Sequence, residues 1–174
     1  MTGKTFIQAV TNGQTDILQI LLDILQAGGT SYCVIGGLAV NAYAEPVVSL
    51  DLDLVVISKD LAKVRQSALA RGLQAQEFEH SLNLSHPGSD LRIQFQRDAR
   101  YQAFLARAIP CRVLGYEMRV AALEDVLQGK IWAYSDEGRR KSKRQKDLAD
   151  ILRLVETHPH LKARLPPALL SETS

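Results

Sequence analysis

Two aspartates, Asp51 and Asp53, alternate with Leu50, Leu52 and Leu54 in an apolar run that continues into Val55 and Val56. Such a run is a strand. Residues two apart on a strand share a face, so both carboxylates point the same way, with Cα atoms about 6.7 Å apart. Like charges at that spacing, beside apolar neighbours, repel unless a cation stands between them. A divalent ion suits the place: Mg²⁺ (or Mn²⁺) takes one or two carboxylates together with water and phosphate oxygens. Upstream, Gly36-Gly37 follows a short apolar stretch, Tyr32-Cys33-Val34-Ile35. Glycine lets the chain turn sharply and approach a ligand closely, and a helix starting near Leu38 would offer free N–H groups to a phosphate. A tight turn and two solvated carboxylates are the plainer alternative. Both features in order, one after a strand and one on the next, favour a nucleotide site. Asp51 and Asp53 are the candidate catalytic and metal-binding residues, and Gly36 and Gly37 the candidate phosphate holders.

At these residues the chain resembles the nucleotidyltransferase superfamily of DNA polymerase β type. It is most similar there to the small AbiEii-type and minimal nucleotidyltransferases of prokaryotic toxin–antitoxin systems. The stretch Lys146-Asp147-Leu148-Ala149-Asp150 resembles their Lys-Asp-x-x-Asp motif. The resemblance implies nucleotide-site roles for Lys146 and Asp147. It also implies one for Lys130, on a helix that begins Leu123-Glu124-Asp125. Read without the resemblance, Lys130 is a snorkelling lysine, its stem packed and its ammonium in water. Asp147 and Asp150 are then acids near a helix N-terminus, paired with Lys143 or Arg153.

The chain departs from the family pattern twice. Val47 stands where the family usually has an arginine, four residues before the first aspartate. A later strand, 91–95, should lie beside the aspartate strand and carry a third carboxylate. Its alternating site-facing position falls on Gln94 or Arg92, with Asp90 one position off. That carboxylate commonly deprotonates the attacking hydroxyl. The resemblance therefore implies an Mg²⁺-dependent enzyme that moves a nucleoside monophosphate from an NTP to a hydroxyl of RNA or protein. The alternative is a catalytically degenerate nucleotide-binding or partner-binding module. A partner protein of a toxin–antitoxin pair belongs to either reading.

Between Arg139 and Lys146, six of eight residues are basic. The segment is either a solvated loop and helix start or an anion patch for RNA, tRNA included, or for nucleotide phosphates.

The elements that must position these residues follow from periodicity. Ile17, Leu21, Ile24 and Leu25 define a helix over 15–27 that Gly28-Gly29 stops. A short helix over 38–44 ends before Pro46. Ser58 caps a helix that Gly72 closes. Strand-like runs at 73–80, 82–85 and 91–95 follow. Asp98 caps a helix that Pro110 breaks, and strands at 111–114 and 117–120 flank Gly115. Helices over 123–134 and 145–156 finish the pattern, and a proline-bearing tail after His158 packs loosely. Strands mixed with helices give an α/β (α+β) fold with a mixed sheet and a C-terminal helical pair. The expected division is a core over 1–120 with helices over 121–174 packed on it as one compact domain.

The bulk figures agree with a globular protein. The 174 residues are 46% hydrophobic and 23% charged, with a net charge of +2, so a nucleic-acid partner would be met by a local patch. No apolar run approaches a membrane span, and the start, Met1-Thr2-Gly3-Lys4-Thr5, has no signal-peptide pattern. Cys33 and Cys111 sit in strand-like contexts as free thiols, which suits the cytoplasm. The four histidines have no metal-ligand spacing.

Overall fold

The computed structural model describes residues 3–174; Met1 and Thr2, part of the start considered above, lie outside them. A seven-stranded sheet runs β3-β4-β5-β2-β1-β7-β6. Its strands are β1 Tyr32–Ile35, β2 Asp51–Val56, β3 Gln74–Glu77, β4 Ser81–His86, β5 Ser89–Gln96, β6 Ile109–Val113 and β7 Tyr116–Val120. β2 lies at the centre, antiparallel to β1 and parallel to β5. The helices are α1 Gly3–Val10, α2 Ile17–Ala27, α3 Gly36–Val40, α4 Leu61–Ala70, α5 Leu123–Ser135, α6 Lys141–Thr157 and α7 Pro167–Leu170.

Register turns the alternation of β2 into two unlike faces. Leu52 pairs with Ile93 and Leu54 with Phe95, and β4 sets Leu84 against Ile93 and Leu82 against Phe95. Directly opposed residues share a face, so these six buried side chains form one apolar layer under α2 and α4. The other face sets Asp51 beside Arg92, and Asp53 between Ile35 and Gln94. α3, α5, α6 and the 3-10 segment Ala99–Arg107 cover this face around β1 and β2. Burying a leucine, isoleucine or phenylalanine side chain stabilises by about 1.5–3 kcal/mol. A one-residue slip of β2 would expose Leu52 and Leu54, so the core itself fixes where the aspartates point.

Five details differ from the sequence expectation. Ser58 is no cap: it opens a 3-10 turn, Ser58–Asp60, ahead of α4 and makes no capping bond. Residues 3–10 form a helix that the periodicity did not single out. α3 begins at Gly36 and ends at Val40, because Asn41 leaves the helix to bond Val47 through both backbone groups, at 2.8 and 2.9 Å. α6 begins at Lys141, four residues early, so the basic run lies inside the helix from Lys141 onward, with Arg139 and Arg140 just before it. The tail is packed: Leu161, Leu165 and Leu169 are buried, and Pro159 and Pro167 start short helices, as prolines can at a first turn.

Candidate nucleotide site

β2 delivers Asp51 and Asp53 to a cavity of about 130 Å³. Gly36 and Ile35 close one side of it, Gln94 and Gln96 of β5 another, and Gly129, Lys130 and Ala133 of α5 the roof. Arg139, Lys143 and Asp147, from the α5–α6 turn and α6, complete it, with Tyr101 at the edge. Three carboxylates and three cations therefore line one space.

The two aspartates of the strand are not equivalent. Asp51 accepts from Arg92 Nε at 2.7 Å on one oxygen and from Lys143 Nζ at 3.2 Å on the other. Burial alone would raise its pKa, but the bonds and charges of Arg92 and Lys143 prevail and hold it below the usual range. Among the described residues no donor bonds the Asp53 carboxylate. Burial pushes its pKa up, Lys130 opposes that, Asp51 adds to it, and the net shift is upward. Gly36 makes room for this group. Its φ is +71°, and a Cβ there would lie 2.6 Å from Asp53 Oδ2.

Behind Asp53 stands a denser array. Lys130 is 6% exposed and Asp147 1%. Lys130 Nζ donates to Asp147 at 3.1 Å and lies 2.8 Å from Asp150 Oδ2. The Asp150 contact is an ion pair without hydrogen-bond geometry. Arg139 Nε donates to Asp147 at 2.7 Å, and Arg153 Nη1 to Asp150 at 2.8 Å. Burial would lower the pKa of Lys130, yet Asp150 and Asp147 outweigh it and keep the ammonium charged. Lys130 is thus no snorkelling lysine, and Asp147 pairs with Lys130 and Arg139, not with Lys143. Arg153 also bonds Asn41 Oδ1 at 3.1 Å and the Glu45 carbonyl, tying α6 to the loop that holds Val47.

Of the residues named from sequence, Asp51, Asp53, Gly36, Lys130 and Asp147 meet at the cavity. Lys146 does not: it is exposed on α6, because one helical position turns it away from Asp147. Gly37 lines no part of the cavity and faces Asp150 and Ser49, 3.7 and 3.9 Å from where its Cβ would be. The expected cradle at a helix N-terminus shrinks to the Gly36 turn, since five residues of α3 carry little macrodipole. The basic run splits in two. Arg139 and Lys143 face the cavity and Arg144 bonds the Tyr134 carbonyl at 2.7 Å, while Arg140, Lys141 and Lys146 are exposed.

Sequence reasoning weighed Arg139 and Lys143 only as members of the basic run, without singling them out from it, and missed Tyr101 as a site residue. Lys143 lies four positions before Asp147, and the two share a helix face only because α6 reaches back to Lys141; Arg139 precedes the helix. Gln94 falls opposite Asp53 in register, so the position expected to hold a third carboxylate holds an amide. Two carboxylates, one without a donor, and a neutral amide oxygen suit a Mg²⁺ that completes its shell with phosphate and water oxygens. Among the described residues no group of three or more His, Cys, Asp and Glu gathers as a self-sufficient metal site.

Residues 19–173 match the profile of a family described as nucleotidyl transferase AbiEii toxin, type IV TA system. No curated protein matches the chain. Among solved structures it is similar to ANT(2'')-Ia in complex with adenylyl-2''-tobramycin. The identity is 14%, over 90% of this chain and 94% of that one, with a TM-score of 0.64. It is similar to the lincosamide antibiotic adenylyltransferase LnuA with lincomycin bound, at 12% identity over 80% and 98% of the two chains, TM-score 0.56. An antigenic nucleotidyltransferase-like protein from Paracoccidioides brasiliensis shares 20% identity over 86% and 75%, TM-score 0.54. At these identities the likeness is one of fold.

Proposed function

Since the chain belongs to the AbiEii nucleotidyl transferase toxin family, we propose that its cavity binds an NTP and transfers the nucleoside monophosphate to a hydroxyl of RNA or protein. The observation that carries this is the pair Asp51 and Asp53 on one face of β2, lining the same cavity as Lys130, Arg139 and Lys143. Three carboxylates and three cations leave the lining near neutrality. A polyanion entering it needs an added cation, and Asp53 is the carboxylate left without a donor to receive one.

Asp51 and Asp53 would hold Mg²⁺ or Mn²⁺, with Gln94 contributing at most an amide oxygen. When bound, the metal supplies charge stabilisation at the α-phosphate and alignment of the triphosphate. The residues of this chain do the rest. Gly36 lets the backbone approach the phosphates, and Lys143 and Arg139 offer donors to them. Asp147 and Asp150 keep Lys130 charged beneath. The acceptor oxygen forms a bond to the α-phosphorus, the bond to the β-phosphate oxygen breaks, and pyrophosphate leaves. The acceptor proton has no carboxylate to receive it at Gln94, since an amide is not a base at neutral pH, and passes to solvent water.

That amide, and the two protein cations on Asp51, support a second reading: a site that keeps nucleotide and has lost efficient transfer. The test of both is incubation with each labelled NTP, Mg²⁺ and one acceptor class at a time: total RNA, protein lysate, or small hydroxylated compounds. Label on RNA or protein supports the first reading. Tight NTP binding with no transferred label supports the second. Family membership also suggests a toxin–antitoxin setting with a second gene product as counterpart. Among the described residues no helix is long and apolar enough to cross a membrane.

A further inference from the structure

Asp51 has its two oxygens engaged by two different cations from two different elements. Arg92 comes from the neighbouring strand β5 and is held by register, directly opposite Asp51. Lys143 comes from the first turn of α6, and its side chain is one-third exposed. The two contacts differ in kind. Arg92 is a planar guanidinium 2.7 Å from its oxygen; Lys143 is a flexible ammonium at 3.2 Å. Asp51 and Lys143 both line the cavity, whereas Arg92 does not.

A metal bound by Asp51 and Asp53 needs a carboxylate oxygen that Lys143 now occupies, and two cations cannot share it without repulsion. Lys143 cannot leave without cost either. Near the N-terminal end of a helix, an ammonium that loses its carboxylate meets the positive end of the helix dipole. An anion close to the same place resolves both problems, and a nucleotide phosphate in the cavity is such an anion.

We propose that Lys143 is an exchange residue. It stands in for the metal on Asp51 while the site is empty and moves to a nucleotide phosphate when metal and nucleotide enter together. This rests on the nucleotide-site reading above. It adds that metal and nucleotide each bind poorly alone and well together, with the coupling carried in part by one side chain. Coupling of this kind is reciprocal: whatever factor the nucleotide adds to metal affinity, the metal adds to nucleotide affinity. A strained internal ion pair is not required; only the change of partner is.

The variant that isolates the exchange is Lys143→Met, which keeps the aliphatic stem and removes the charge. Arg92 remains on Asp51, and the first turn of α6 loses a charge that opposes its dipole, which offsets part of the lost, partly exposed pair with Asp51. Lys143→Gln serves as a second version, and melting curves of both establish folding. Mn²⁺ binding is read by electron paramagnetic resonance of the free ion, with no acceptor present. The nucleotides are the four ribonucleoside triphosphates, tested singly. Relative to the unmodified chain, Lys143→Met should bind Mn²⁺ alone about five- to tenfold more tightly and bind nucleotide in the presence of Mn²⁺ more weakly by a similar factor. Opposite signs on the two ligands are the signature of exchange.

Unchanged Mn²⁺ affinity with weakened nucleotide binding would make Lys143 a simple phosphate-binding residue and overturn the exchange. Loss of both affinities in a folded variant would make its role one of site architecture and overturn it as well. If neither the unmodified chain nor the variant binds Mn²⁺ or nucleotide, the nucleotide-site reading fails, and the exchange falls with it.

Discussion

Asp147 and Asp53 line the same cavity, the first buried and the second half-buried, yet they are provided for in opposite ways. Asp147 accepts from Lys130 and Arg139, and its neighbour Asp150 from Arg153, so every charge in that array has a partner. Asp53 has no donor among the described residues, a raised pKa, and a glycine where any side chain would collide with it. A buried pair costs desolvation and recovers it only when geometry is good, so the Asp147 array is a set of mutual obligations that cements α5 to α6. A half-buried carboxylate left short of donors is instead a cost that the fold carries without return. The contrast separates what holds the site from what the site is proposed to do: satisfied charges are scaffold, and the carboxylate without a donor is where the proposed cation would bind.

The widest gap between the regions should appear in stability. Asp147→Asn leaves Lys130 buried with one carboxylate and frees Arg139, and should cost about 3–5 kcal/mol in chemical denaturation, as breaking a buried pair does. Asp53→Asn should cost nothing in the same measurement. Equal losses would erase the distinction between scaffold and site.

Gln94→Asp sharpens the contrast from the other side. It adds a third carboxylate in register with Asp53. Without metal, the added repulsion should lower stability by about 1 kcal/mol, or roughly 2–4 °C in Tm for a chain of this size. Mg²⁺ should then raise the Tm of Gln94→Asp more than that of the unmodified protein, because the ion stabilises the folded state that binds it. Equal Mg²⁺ responses would mean that the amide does not occupy a ligand position.

pH distinguishes the aspartates of the strand from each other. The pKa of Asp53 is raised above the ordinary 3.8, so between 3.8 and its folded value the folded chain holds more proton than the unfolded one, and stability falls as pH rises. Asp53→Asn should therefore melt higher than the unmodified protein above that window and equally below it. Asp51, held under 3.8 by Arg92 and Lys143, contributes stability that is present above 3.8 and lost as pH falls through its folded value. Asp51→Asn should melt lower at neutral pH and match at low pH. Two variants shifted in the same direction at neutral pH would refute the assignment. The smallest effect belongs to the exposed bases. Each of Arg140, Lys141 and Lys146 neutralised should remove about 0.7 from the slope of RNA binding against log salt, if single-stranded RNA meets them.

The layout of β1, Gly36 and β2 was legible because apolar alternation and a glycine after a strand are local signals. The apolar face of Leu52 and Leu54 left the aspartates only one way to point. The partner of Gln94 was legible for the same reason, since alternation on β5 carries its register. What could not be read was the commitment of the basic run. Arg139, Lys143 and Arg144 look identical to Arg140 and Lys141 in sequence, and only the packing of α6 on α5 decides which turn inward. Lys146 was misplaced because a motif was carried over as a string, whereas a helix separates adjacent residues by about 100°. The tail misled because prolines signal loops, while here they open short helices whose leucines reach the core.

The central claim is that Asp53 is held for a metal and its nucleotide. The direct measurement is titration calorimetry of NTP into the protein with and without Mg²⁺, for the unmodified chain and for Asp53→Asn, with melting curves alongside. The account predicts Mg²⁺-dependent NTP binding that Asp53→Asn abolishes while its Tm stays level or rises. Mg²⁺-dependent binding that persists unchanged in a folded Asp53→Asn protein would contradict it.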